Sequence, residues 1–241
     1  MDKHVFITGA DRGLGFELAK QFLDDGYTVF AGRYLPEWPW LDELKQRHGG
    51  RLQPVGIDIS DESSVKEASA FIRERTDRLD ILVNNAALGG GANNQNTIFD
   101  ELDFDVMLRL FNVNTVGTLR VTHSLIELVM NSETRLVVNI SSEAGSIGTC
   151  YRKGWYAYCM SKAALNIQSV ILHNSIKEQG GQVMIFYPGW MQTYMSGKLN
   201  TEAPLLPETS AAGIKGLIDR HEDYRGNEPA FIDYQGMKWP W

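Results

Sequence analysis

Apolar residues fall in short runs along this chain, and each run gives way to a polar stretch. Seven runs read as strands, at residues 4–8, 28–32, 52–58, 79–86, 135–142, 182–188 and 229–233. Val, Ile and Phe dominate them, and most end at Gly, Asn, Ser, Asp or Pro. Some are uninterrupted, as in Ile81-Leu82-Val83 and Leu136-Val137-Val138. A strand covered on both faces has that pattern, which points to a parallel sheet between helix layers. Helical patterns fill the intervals at 14–23, 62–75, 101–130, 156–178 and 207–220, with Ser60 as the expected cap of the second. Strand and helix alternate, so the class is α/β built of βαβ crossovers. The stretches 88–96 and 194–207 have the length of loops, not of domain boundaries.

Composition narrows the class. At roughly 150 residues per domain, 241 residues leave one or two domains open. Apolar residues make up 43% and charged residues 22%, as in globular proteins. A net charge of −7 argues against coating nucleic acid or an anionic membrane, since phosphate binding needs clustered Lys and Arg. Two cysteines, Cys150 and Cys159, make no disulfide framework, and a reducing cytoplasm is expected. No apolar run approaches the roughly 18 residues of a membrane span. The opening residues, Met1 to Gly9, hold too short an apolar stretch for a signal peptide. No metal is expected.

The first strand runs into Thr8-Gly9-Ala10-Asp11-Arg12-Gly13-Leu14-Gly15, which opens a helix. Glycines at such a turn let the backbone approach a pyrophosphate and let the helix pack close to the strand. The helix start then offers free N–H groups and a positive dipole end to the phosphates. The second strand ends at Arg33 where an NAD site carries Asp or Glu, and Arg12 lies in the glycine loop. Two guanidiniums near one 2′-phosphate favour NADP over NAD. The plain alternative is two solvated surface arginines.

Tyr158 and Lys162 stand four apart, on one face of a helix. A phenol has a pKa near 10 and is a poor acid at neutrality. A nearby ammonium is expected to lower that value and make Tyr158 a usable proton donor to a carbonyl oxygen. Alone the spacing is weak. Its company strengthens it: Thr8, Asn85, Ser142 and Pro188 all fall at strand C-termini, the rim where parallel sheets bind ligands. Asn114, in the middle of a helical stretch, marks a local break or a site, because Asn competes with the backbone for hydrogen bonds.

These motifs, in this order and over nearly the whole length, resemble the single-domain short-chain dehydrogenases/reductases. The stretch 156–166 and the Trp-terminated tail 233–241 look like the C-factor/carbonyl-reductase-like branch. The resemblance implies a Rossmann-type three-layer α/β/α sandwich with a mostly parallel seven-stranded sheet, in one domain spanning 1–241. It implies hydride transfer between NADP(H) and a carbonyl or alcohol substrate. Tyr158 would be the general acid/base and Lys162 its activator and ribose holder. Ser142 would orient the carbonyl, and Asn114 would hold a water. Cofactor contacts would come from Thr8, Gly9, Arg12, Gly13, Leu14, Gly15, Arg33, Asp58, Ile59, Asn85 and Ala86. Pro188, Gly189 and Thr193 would flank the nicotinamide, and Tyr158 and Lys162 would touch the cofactor too.

Three competitors are set aside. Tyr156 has Met160 four residues on and so lacks an ammonium; Ser141 points to the other face of its strand; Asn112 lacks the Asn-x-x-Gly pattern that Asn114 has. Cys159 reads as a packing residue. The sequence departs from the family at Ala87, where Gly is common, in a long Ser142–Tyr158 interval that makes 148–154 a loop at the pocket mouth, and in the Gly-rich stretch 87–94. The segment 194–207 reads as a substrate lid, partly apolar, and Tyr151 and Trp155 suit an aromatic or planar substrate. The resemblance also implies a homodimer or homotetramer pairing through the long helices. The competing function is a dinucleotide-binding signalling or regulatory protein with little turnover.

Overall fold

The computed structural model describes residues 2–91, 95–195 and 197–241. Three residues of the Gly-rich stretch, Ala92, Asn93 and Asn94, thus lie outside the described residues, as does Ser196 in the expected lid. All seven expected strands form: β1 (His4–Ile7), β2 (Thr28–Arg33), β3 (Leu52–Gly56), β4 (Ile81–Asn84), β5 (Leu136–Ile140), β6 (Gln182–Tyr187) and β7 (Ala230–Asp233). They lie side by side in the order β3-β2-β1-β4-β5-β6-β7. Every pairing among these seven is parallel, so the sheet is fully rather than mostly parallel.

Period-two alternation divides the side chains between two cores. Val5, Ile7, Leu136, Val138, Met184 and Phe186 join one cluster. Phe6, Val137, Val183 and Ile185 join the other. The first is covered by α1 (Gly13–Asp24), α2 (Trp40–His48) and α7 (Pro207–Ile218), through Leu18, Phe22, Leu41 and Ile214. The second is covered by α3 (Glu62–Arg73) and α5 (Thr118–Met130), with Ile176 from α6 (Tyr156–Ile176). Strand β5 is buried from end to end.

Two expectations need correction, and one helix was not expected. The cap of α3 is Asp61, whose carboxylate accepts from the Ser63 N–H at 2.8 Å. Ser60 instead donates its hydroxyl to Asp58 at 2.6 Å, because Asp61 is the last extended residue before the helix and alone reaches its free N–H groups. The stretch 101–130 is not one helix. It divides into α4 (Phe104–Phe111), a π-helical segment Asn112–Gly117, and α5. Gly117 sits so close to the chain after β3 that a Cβ there would lie 2.8 Å from the Ile59 carbonyl. Helix α2 was hidden by its length and by Pro36 and Pro39 ahead of it. Its signal is charge: Asp42 and Glu43 in the first turn, Lys45, Arg47 and His48 in the last, as the helix dipole favours.

A buried polar network fixes the helices against the sheet. Asn84 of β4 donates to Asn139 of β5 at 2.8 Å and to Thr122 of α5 at 3.0 Å. Asn139 in turn donates to Ser169 of α6 at 2.7 Å. Directional hydrogen bonds of this kind set register where apolar contacts would allow sliding, although the Asn84 Oδ1 is buried without a partner. Helix α6, which carries Tyr158 and Lys162, is thereby set against the C-terminal half of the sheet.

Candidate active site

The chain reverses direction of strand order at β1, flanked by β2 on one side and β4 on the other. A crevice opens at the strand ends of such a switch point. Thr8, just past β1, is buried, and its hydroxyl accepts from the N–H groups of Asn85 at 3.0 Å and Ala86 at 3.1 Å. Asn85 returns the contact, donating to the carbonyls of Thr8 at 3.0 Å and Gly9 at 2.9 Å. The glycine loop is thus locked to the end of β4. Gly9 has φ +62°, and a Cβ on it would meet the Ala86 Cα at 2.9 Å. A Cβ on Gly15 would lie 2.3 Å from the Gly9 carbonyl, so the third glycine serves helix packing.

Helix α1 starts with no side-chain cap and no acidic residue in its first turn. Among the described residues no side chain caps its first N–H groups, which lie at the crevice. Gly13, at φ +60°, leaves them uncovered, and Thr193 lies across from it, 3.6 Å from where its Cβ would be. Leu14 contributes only backbone there, since its side chain belongs to the core. This is the chemistry of a diphosphate cradle, and a dinucleotide fits it.

The two arginines have different surroundings. Arg12 lies over the rings of Trp38 at 5.1 Å and Tyr194 at 5.9 Å. Among the described residues no carboxylate pairs with it. Arg33 donates to Asp42 of α2 at 2.8 Å, while its Nε is buried without a partner. Asp58 receives Ser60 on one oxygen, and Ile59 is packed in the core with its carbonyl bound by Arg120 at 2.7 Å. Pro188 accepts the Ser210 hydroxyl at 2.6 Å, and Gly189 has φ +84° against Leu205.

Asn114 is buried in the π-helical segment, as are Thr115 and Gly117. It donates to the Leu88 carbonyl at 2.9 Å and to the Ser161 hydroxyl at 3.0 Å, and accepts from the Leu88 N–H at 2.8 Å. It therefore clamps the segment after β4 to α6. Single π turns of this kind concentrate at functional sites.

Ser142 follows β5 and Tyr158 lies in the first turn of α6. Ser141 points the other way, to Asn166 at 2.6 Å, as alternation requires. Lys162 is 2% exposed, and its ammonium donates to the Ile140 carbonyl at 2.9 Å. It lies 5.8 Å from the centre of the Tyr158 ring. Burial lowers the lysine from its ordinary 10.5 to about 8. Burial also raises the Tyr158 phenol well above its ordinary value, against an opposing hydrogen-bonding contact from Ser142. Lys162 is not among the groups that shift the phenol in the free protein, where desolvation dominates. Cys159 beside it is half-buried, and burial raises its thiol, which suits packing rather than attack. Among the described residues, sequence reading missed Glu143 and Arg152, which join this site. The unusual length of the 142–158 interval was the one signal for them.

A family model described as short chain dehydrogenase matches residues 3–204. The chain belongs to the short-chain dehydrogenase family, a family of oxidoreductases. It is 33% identical over 167 residues to C-signal of Myxococcus xanthus, covering 69% of this chain and 95% of that protein. It is 32% identical over 206 residues to the human short-chain dehydrogenase/reductase family 9C member 7, covering 84% of this chain. The chain spans only 62% of that relative's length. Among solved structures, it superimposes on an NADPH-bound carbonyl reductase from chicken fatty liver with a TM-score of 0.86, at 26% identity over 100% of this chain and 99% of that one. A carbonyl reductase from Pseudomonas aeruginosa PAO1 in complex with NADP gives a TM-score of 0.82 at 32% identity, with 100% of both chains covered. Among the described residues no helix is long and apolar enough to cross a membrane.

Lys162 supplies a test of this site by stability alone. Its folded pKa of about 8 lies below the ordinary 10.5, so between those values the folded state binds fewer protons than the unfolded one. Stability then rises with pH across that window. Relative to Lys162→Met, the wild type is expected to gain about 3 kcal/mol from pH 8 to 10.5, read from urea denaturation at each pH.

Proposed function

We propose that the chain is an NADP(H)-dependent oxidoreductase that moves hydride between the nicotinamide and the carbon of a carbonyl/alcohol pair. One observation carries this reading: Ser142, Tyr158 and Lys162 assemble at the end of β5, on the same rim as the uncapped start of α1. The carbonyl reductases that share the fold, with NADP or NADPH bound, support it. The uncapped α1 start, Thr8, Gly9, Gly13 and Asn85 would hold the diphosphate end, and Arg12 and Arg33 the 2′-phosphate. Pro188, Gly189 and Thr193 would border the nicotinamide, which when bound supplies or accepts the hydride.

The protein's own part is proton transfer and positioning. Tyr158 Oη gives its proton to the carbonyl oxygen in reduction and recovers it in oxidation. Ser142 Oγ fixes the position of that same oxygen. Lys162 is an ammonium held in the interior by the Ile140 carbonyl, and its charge favours the phenolate as that proton leaves. Asn114 holds Leu88 and Ser161 in place around it. The segment 194–207 closes the crevice as a lid. Tyr194 packs edge-on against Trp38 at 4.8 Å, and Leu205 against Gly189. With Tyr151 and Trp155 at the mouth, the pocket suits a partly apolar carbonyl compound. The whole of 1–241 acts as one nucleotide-binding and catalytic unit in this reading, and its two free cysteines suit the reducing cytoplasm.

A second reading is favoured by the likeness to C-signal: a dinucleotide-binding regulatory protein with little turnover. Carbonyl reduction separates the two. Tyr158→Phe is expected to lower kcat for NADPH-dependent reduction of a probe aldehyde roughly 10²–10⁴-fold. It should leave a clear NADP-induced thermal shift, since most of the cofactor contacts lie elsewhere. Wild-type protein that binds NADP and reduces no ketone or aldehyde of a broad panel would favour the regulatory reading.

Arg33→Ala is expected to weaken NADP binding about tenfold while leaving NAD binding nearly unchanged, measured by calorimetry. Equal losses for both would remove Arg33 from the 2′-phosphate site.

Self-association belongs to the same reading. Helix α6 exposes Ile167 and Ile171, at 58% and 60%, and α4 exposes Phe104 and Leu108 beside it. Such an apolar face suits a second copy of the chain. The expected solution mass is that of a dimer or tetramer, and Ile167→Lys with Ile171→Lys should yield monomers by sedimentation.

A further inference from the structure

Three side chains beside Tyr158 form a chain of their own. The Ser142 hydroxyl donates to Glu143 Oε2 at 2.6 Å and accepts from the Ala144 N–H at 3.1 Å. The other carboxylate oxygen of Glu143, Oε1, pairs with Arg152. Both side chains are largely withdrawn from water, at 23% and 15% exposure. The Arg152 guanidinium lies 5.0 Å from the ring centres of both Tyr151 and Trp155, and Trp155 meets the Tyr158 ring edge-on at 6.0 Å.

The loop that delivers Arg152 is held at several points. The Gly148 N–H donates to the Trp241 carbonyl at 2.7 Å. Gly154 pairs with Thr97 in an antiparallel bridge, and a Cβ there would lie 2.3 Å from the Gln95 carbonyl. Trp155 then adopts the left-handed conformation, φ 66°, which residues with a Cβ rarely take. A strained residue next to a candidate acid, in a loop this tightly tied, is an observation that asks for a role.

We propose that Glu143 and Arg152 are positioning residues for the proton-transfer step: Arg152 fixes Glu143, and Glu143 holds the Ser142 oxygen beside Tyr158. The proposal rests on the reading of Ser142 and Tyr158 as catalytic residues. The pair also places one charge of each sign around the phenol. Tyr158 is faced by Cys159 and Lys162 from its own helix, by Glu143 after β5 and by Arg152 from the loop. Tyr187, at the end of β6, shares the influence of Glu143 and Arg152. Glu143 opposes formation of the phenolate and Arg152 favours it.

Glu143→Gln keeps an acceptor for Ser142 and removes the charge with the oxygen that pairs with Arg152; Arg152→Met removes charge and keeps most of the stem. Titration of the tyrosinate absorbance of NADP-saturated protein, minus that of Tyr158→Phe, reads the phenol without any substrate. Glu143→Gln is expected to lower the midpoint, and Arg152→Met to raise it, each by roughly half a pH unit or more. Arg152→Lys should return it toward wild type. With NADPH and 4-nitrobenzaldehyde, Glu143→Ala should lower kcat about tenfold or more with KM within about two-fold, as loss of a transition-state interaction does. Midpoints that stay put, or that move in the same direction in both charge variants, overturn the proposal. Wild-type protein that reduces no carbonyl overturns the oxidoreductase reading instead, and the titration then still reads whether the pair acts on the phenol.

Discussion

Hydrogen bonding within the parallel sheet uses up the backbone of β1, β4, β5 and β6, and helices bury both of its faces. Polar side chains can then survive in two places: at the C-terminal rim, or inside and hydrogen-bonded to one another. Both solutions are present. Thr8, Asn85, Ser142 and Pro188 crowd the rim. Asn84, Asn139, Thr122 and Ser169 form the interior network that holds α5 and α6 in register. The rim chemistry depends on that network, because Tyr158 and Lys162 ride on α6.

The same constraint explains the unusual state of the reactive groups. Lys162 reaches the Ile140 carbonyl by crossing the packed interior, and burial lowers its pKa to about 8. Tyr158 is pushed the other way. A lysine held partly against its charge costs stability near neutral pH, and perturbed groups of this kind cluster at functional sites. The carboxylate of Glu143 and the guanidinium of Arg152 are brought into this environment by a loop whose geometry tolerates Gly154 and no larger residue.

Much of this was legible in the residues. Seven strands, the glycine loop and the Ser142, Tyr158 and Lys162 set could be read because each rests on local pattern: period two, turn residues, or fixed spacing. Asn114 was legible as an oddity, a poor helix former in mid-helix, and the π-helical segment is its cause. Helix α2 was missed because nine residues with two buried leucines give little periodicity, although its end charges announced it.

Sequence by itself determined the layered α/β arrangement, the order of the chemical motifs and the presence of a basic pair on an acidic protein. Those follow from local preferences and spacing, which act between near neighbours. Only the tertiary structure decided that Arg33 is engaged by Asp42 while Arg12 lies on two aromatic rings, that Lys162 is desolvated, and that Glu143 joins Ser142 to Arg152. Burial and long-range contact set those properties, and neither is carried by any short stretch of chain.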